Sequence, residues 1–179
     1  MTETPSPVPE TSLASMVQRI AGLLEHGGGV LSTGDVADLR RMEPRRIASP
    51  AFYKLVGAVL DPELPPEGAR REEVETRWAA AIVGLAHLSG LHRQGTHLGS
   101  ALVEAEFSEI RFVRLLRADV ERLIDDVPQL GRFLAAKQTP ADFTDAVRLL
   151  LSAGRSDEET VRRRLARDYY AALKHSESK

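Results

Sequence analysis

The sequence predicts an all-α fold, a compact two-lobed helical bundle of about eight or nine helices. Apolar residues recur at spacings of three and four along most of the chain. Nearly every such stretch is bounded by a capping residue, a proline or a glycine. No stretch alternates with period two for long enough to make a convincing strand. With 179 residues the chain suits one structural unit that needs no covalent staple. The expected organisation is a disordered leader over 1–10, an N-terminal helical lobe over 11–105, a C-terminal helical lobe over 106–175 and a tail over 176–179.

Taken in order, "MTETPSPVPE" is acidic and proline-rich, without the apolar stretch of a secretory signal. "TSLASMVQRIAGLLEHGGG" places Leu13, Met16, Val17, Ile20, Leu23 and Leu24 on one face, with Thr11 or Ser12 as the cap and Gly27 to Gly29 as the stop. "STGDVADLRRM" is a short helix behind another cap. "SPAFYKLVGAVL" begins with Ser49 at the N-cap and Pro50 at the first helical position, where its fixed φ and missing N–H cost nothing. "DPELPPEGA" reads as a loop. A long helix over about 71–89 is built on Val74, Trp78, Ala81, Ile82, Leu85 and Leu88. "GLHRQGTHLG" interrupts it, and a helix near 98–105 follows. "SEIRFVRLLRAD" is the next helix, and "VERLIDDVPQLGRFLAAKQ" is expected to be split in two by Pro128. "TPADFTDAVRLLLSAG" repeats the cap-then-proline start with Thr139 and Pro140. In "SDEETVRRRLARDYYAALKH" Ser156 and Glu159 have the spacing of a capping box, with acids in the first turn.

Composition bounds the function. Apolar content of 42% and charged content of 28% are ordinary globular values. There is no cysteine, so disulfides and thiolate metal sites are impossible. No apolar run has the length of a membrane span, and a cytoplasmic protein is expected. A net charge of −2 argues against coating nucleic acid through bulk charge, although a local basic surface depends on distribution rather than on sums. Of 24 basic residues only Lys54, Lys137, Lys174 and Lys179 are lysine, which leaves 20 arginines. Arginine's planar fork suits phosphate, but a GC-rich genome would also favour its codons.

Motifs for chemistry are missing. His87, His92 and His97 stand five residues apart. On a helix that step turns about 140°, whereas ligands sharing a face need spacings of about three or four. Surface or packing histidines are the plainer reading, and no metal or other cofactor is expected. Gly27 to Gly29 lacks the lysine and hydroxyl of a phosphate loop. Asp125 and Asp126 have no partner recognisable from spacing, and no serine or threonine sits in a nucleophile elbow. No active site is legible.

Basic groups are the informative feature. Arg40 and Arg41 end the second helix, with Arg45 and Arg46 in the loop beyond, and Lys54 lies one turn into the proline-started helix. Arg111, Arg114 and Arg117 fall three apart, spanning an arc of about 120° opposite Phe112, Val113, Leu115 and Leu116. Arg163, Arg164 and Arg167 form a similar arc on the last helix, but acids surround them. A solvated helix face accounts for that last group well and for the 111–117 stripe least well. Glu109 lies on the apolar side of the stripe's helix, and Ile110 sits among the arginines as if the face met a partner. Three arginines without ion-pair partners are what a phosphate backbone asks for. The sequence shows no aromatic stacking platform beside them, since Phe52, Tyr53 and Trp78 lie near other basic segments.

Three stretches together carry a family resemblance. "DLRRM…SPAFYKLV" joins an arginine pair to a Pro-x-Phe-Tyr-basic-Leu helix start; "HLGSALVEAEFSEIRFVRLLRAD" joins a Leu-Gly-x-Ala-Leu helix to an arginine-rich helix; "LARDYYAA" closes the last helix. In this order the chain, from about residue 13 to 173, resembles the CasB family, the small subunit of the type I-E CRISPR surveillance complex Cascade. The resemblance implies a helical, two-lobed protein without catalysis of its own. Its partners would be the other Cascade subunits with guide RNA, the target DNA strands, and a second copy paired head to tail within the complex. Base pairing would read the sequence while the protein supplies backbone contacts. Arg40 and Arg41 match the family's arginine pair, Lys54 the basic position after Phe-Tyr, and Arg111 and Arg117 basic positions of the arginine-rich helix. Arg114 rests on spacing alone, and Arg93, in the loop before "HLGSAL", is a weaker match. The acidic leader and the proline-rich insert at 61–68 depart from the family pattern. Two other readings stay open: a helical adaptor bridging protein partners, and a helix-turn-helix regulator, for which "SPAFYKLVGAVL" offers few base-reading side chains.

Overall fold

The structure, a computed structural model, describes residues 12–178. The expected leader and Thr11 lie outside the described residues, as does Lys179 of the expected tail. Among the described residues the chain forms nine α-helices and no strand. They are α1 (Leu13–His26), α2 (Thr33–Arg41), α3 (Pro50–Leu55), α4 (Ala69–His87), α5 (Leu98–Glu104), α6 (Glu109–Arg117), α7 (Val120–Ala136), α8 (Thr144–Ser152) and α9 (Glu158–Glu177). A π-helical turn (Val56–Leu60) and a short 3-10 turn (Asp61–Glu63) follow α3. None of the described helices is long and apolar enough to cross a membrane.

The core forms around α4. Every residue from Arg77 to Ala86 is buried, because this helix is small and apolar on all sides and packs against α1, α2, α7 and α8. Its closest neighbour is α7, where Gly131 meets Gly84 so tightly that a Cβ on Gly131 would lie 2.2 Å from the Gly84 carbonyl oxygen. A second close approach sets α5 on α9, where a Cβ on Gly99 would lie 2.5 Å from the Tyr169 nitrogen. The caps of the first two helices form as expected. Ser12 accepts from the Ser15 amide, Gly27 ends α1 at a φ of 71°, and Ser32 with Asp35 makes a reciprocal capping box.

Three local expectations are corrected. Helix α7 runs unbroken through Pro128. Pro128 is buried, and Leu123, Ile124, Val127, Leu130 and Leu134 on both sides of it are buried too, so packing overrides a break that costs about 3 kcal/mol locally. Thr139 and Pro140 do not start α8, which begins at Thr144. Residues 139–143 instead lock onto the α4–α5 loop: the Ala141 amide donates to the Leu91 carbonyl (3.1 Å), the Asp142 amide to the Thr96 carbonyl (2.7 Å) and the Phe143 amide to His92 Nδ1 (3.2 Å). Asp142 then accepts from the Thr144 amide at the start of α8 (3.0 Å). Finally, Ser156 and Glu159 form no capping box. Helix α9 starts at Glu158, whose carboxylate accepts from the Gly154 amide at 2.8 Å, while Glu159 pairs with Arg163.

Candidate nucleic-acid interface

Helix α6 is amphipathic, and contacts made by its apolar side aim the arginines outward. Phe112 stacks on Tyr169 of α9 with ring centroids 3.8 Å apart and planes 8° from parallel. The Tyr169 hydroxyl donates to the Phe107 carbonyl at 2.8 Å. Arg162 of α9 donates to the Leu116 and Ala118 carbonyls at the C-terminal end of α6, satisfying groups the helix leaves unpaired. Glu109, the acid on α6 itself, accepts from the Tyr170 hydroxyl at 2.9 Å and so faces α9. Arg111, Arg114 and Arg117 are left exposed, the last two in the final turn, where the helix dipole favours cations.

Beside this stripe, α6 and α7 enclose a groove of about 380 Å³. Arg111 and Arg114 line one wall; Arg122 and Arg132 of α7, which the sequence reading did not single out, line the other. Arg122 is neutralised by Asp126 at 3.1 Å. Arg111, Arg114 and Arg132 have no carboxylate within ion-pair distance among the described residues. The floor is aromatic: Phe107 and Phe133 meet edge to face at 5.2 Å, and the Arg111 guanidinium stands 5.7 and 5.8 Å from their centroids. This corrects the expectation that no aromatic platform lies beside the stripe. The four-residue spacing from Phe107 to Arg111 is a visible signal for half of it, but Phe133 arrives only through the α6–α7 packing.

Arg40 lies outside the groove walls but is linked to Arg132 through His87. Its Nε donates to the Ala86 carbonyl in the last turn of α4 at 2.8 Å. Arg40 and Arg132 both act on the half-buried imidazole of His87. Burial, and then these two guanidinium groups, push the His87 pKa below its ordinary value.

The other sequence-selected residues are more scattered. Arg41 and Arg117 are exposed neighbours of this surface in sequence, outside the groove walls. Arg93 is exposed in the α4–α5 loop, its backbone N–H donating to the Ala141 carbonyl at 3.0 Å. Lys54 is engaged, its Nζ 2.9 Å from the Asp35 carboxylate that also caps α2. Asp35 is held at a pKa of about 2, first by the Ser32 amide and then by Lys54. Arg45, conspicuous in the sequence, pairs with Asp125 and with Glu121 across to α7, which supplies the partner that spacing did not reveal for Asp125.

The family of CRISPR-associated protein Cse2 matches this sequence over residues 35–170, most of the helical body. The chain belongs to the Cse2 family. Cse2 is the CasB small subunit that the sequence motifs resemble, so the resemblance holds. Among solved structures, the Cse2-family protein from Thermus thermophilus is 26% identical, with 92% of this chain and 99% of that chain aligned at a TM-score of 0.60. A chain of E. coli Cascade, in a crystal structure bound to a PAM-containing double-stranded DNA target, aligns at a TM-score of 0.62 with 24% identity, over 88% of this Cse2 chain and 96% of its own. No curated protein matches the sequence.

Proposed function

We propose that this Cse2 chain, as the small subunit of a Cascade complex, holds nucleic-acid backbone on the α6–α7 groove and its flanks and so stabilises the target R-loop in antiviral defence. The observation that carries the reading is the convergence of Arg111, Arg114 and Arg132 on one groove without a carboxylate to neutralise them, in a chain of net charge −2. Its partners are the other Cascade subunits with their guide RNA, and the target DNA strands. The chain performs no chemistry of its own, works in the cytoplasm, and pairs with a second copy inside the complex.

Exchange of a DNA duplex for a guide–target heteroduplex is nearly balanced, so a few phosphate contacts can tip it. Arg111, Arg114 and Arg132 supply the central contacts, and Arg40, Arg41, Arg93 and Arg117 extend them. Lys54 contributes least, because a phosphate must first displace Asp35.

The test is target-duplex binding by the reconstituted guide-RNA complex over a series of salt concentrations. Wild type is compared with Arg111, Arg114 and Arg117 all changed to Ala, with assembly checked by size. An intact mutant complex should bind more weakly, with a log–log salt slope shallower by about two, since each single-strand contact accounts for about 0.7. Unchanged affinity and slope in an intact complex would refute the stripe as a strand contact. Failed assembly would favour the adaptor reading, in which the stripe docks on a neighbouring subunit. Ile110, 77% exposed beside the arginines, is the feature that speaks for it.

A further inference from the structure

Outside the residues that line the groove, three helices bring together one imidazole and two carboxylates. His97 at the N-cap of α5, Asp145 on α8 and Asp168 on α9 each offer a ligand atom, all within 4.8 Å of one another. They meet because the Gly99 contact presses α5 onto the α9 backbone at Asp168 and Tyr169. Asp168 Oδ2 is shut off from solvent and has no hydrogen-bond partner among the described residues, an expensive condition for a carboxylate oxygen. Its distance to His97 Nδ1, 3.7 Å, is too long for a hydrogen bond. Two donors held about 2.0–2.2 Å from one tetrahedral ion stand roughly 3.3–3.6 Å apart, close to that separation.

Asp145 completes the arrangement. Its Oδ1 pairs with Arg148 at 3.1 Å and lies 3.7 Å from Arg164, whereas its Oδ2 has only the distant Leu98 amide at 3.5 Å. One oxygen of a buried carboxylate is therefore under-used, on the same side chain that the cluster includes. We propose that His97, Asp145 and Asp168 form a binding site for a divalent transition-metal ion of zinc's class. One imidazole and two carboxylates suit zinc better than calcium, which takes six to eight oxygens. The ion would satisfy Asp168 Oδ2 and tie α5, α8 and α9 together, with a fourth position left for water. Arg148 and Arg164 compete for Asp145, and both are partly exposed side chains that can turn to solvent. The residues are distant in sequence, so no ligand spacing announces the site.

Isothermal titration of the full chain with zinc chloride tests this, alongside thermal melting with zinc and with a chelator. One equivalent should bind and raise the melting temperature. His97→Ala and Asp168→Asn should both lose that binding, with circular dichroism confirming that each is folded. The His97 side chain is 54% exposed, so its removal leaves the core untouched. Arg164→Ala should bind at least as tightly as wild type, because a competing cation is gone. No saturable binding, or the same isotherm in either ligand variant, would overturn the proposal. Neither result bears on DNA binding by the α6–α7 groove.

Discussion

Arginine stands in two physically different settings in this chain, and the surrounding contacts separate them. Arg77 is buried and donates to the Leu150, Leu151 and Ala153 carbonyls at 3.2, 3.3 and 2.8 Å, which closes the C-terminal end of α8. Arg162 does the same for α6. Arg111, Arg114 and Arg132 instead line an open groove, with no carboxylate at ion-pair distance among the described residues; under the proposed function their charge is available to a phosphate. His87 sits beside the last of these and carries a pH dependence. Its pKa lies below 6.5, through burial first and then through Arg132 and Arg40. The unfolded chain therefore takes up the His87 proton first, so the folded state loses stability as pH falls from 6.5 through the lower folded value. His87→Gln should flatten the loss of stability measured by urea unfolding between about pH 7 and about pH 5. An identical pH profile in the variant would show that His87 is not the group responsible.

At the scale of helices, glycine governs the crossings. A Cβ on Gly131 would strike the backbone of α4, which cannot rotate away as a side chain can. Gly131→Ala should cost about 1–3 kcal/mol or more, read as a lower urea midpoint. A Cβ on Gly22 in α1 would meet nothing within 4 Å, so Gly22→Ala is the matched control and should stabilise by roughly 0.5–1 kcal/mol. A small effect at Gly131 would mean that α4 and α7 can separate without penalty. The same crossing explains why α7 tolerates Pro128: five buried aliphatic side chains hold both halves against α4. Element boundaries were legible in the sequence where a cap acts locally, as at Ser12 and Ser32. They were not legible at α8, where Asp142 is the side chain that meets the first helical amide and the preceding residues are held by the α4–α5 loop.

Across the whole molecule, one apolar cluster contains residues from every helix between α1 and α9. A chain with one shared core should melt as a single unit, whatever lobes the sequence suggests. Fluorescence of Trp78, the only tryptophan and 3% exposed in α4, should therefore change at the same denaturant concentration as far-UV circular dichroism. Two separated midpoints would show that the N-terminal and C-terminal lobes unfold independently. The shared core also gives the groove its rigidity, since α6 rests on α9 through the Phe112–Tyr169 stack while α7 rests on α4.

Helix periodicity, capping residues and prolines act within a few residues of chain, so the sequence by itself determined the all-α class, the order of the helices and the amphipathic arginine face of α6. Its motifs, in order, were sufficient for the Cse2 family. Only the tertiary structure decided which basic side chains stay without an acidic partner among the described residues, because Arg45 and Lys54 find carboxylates on distant segments that no local spacing reveals. It also decided that Phe133 and Arg132 join Phe107 and Arg111 across one groove, and that His97, Asp145 and Asp168 converge. Such sites arise where helices cross, and a crossing is set by the packing of the entire core.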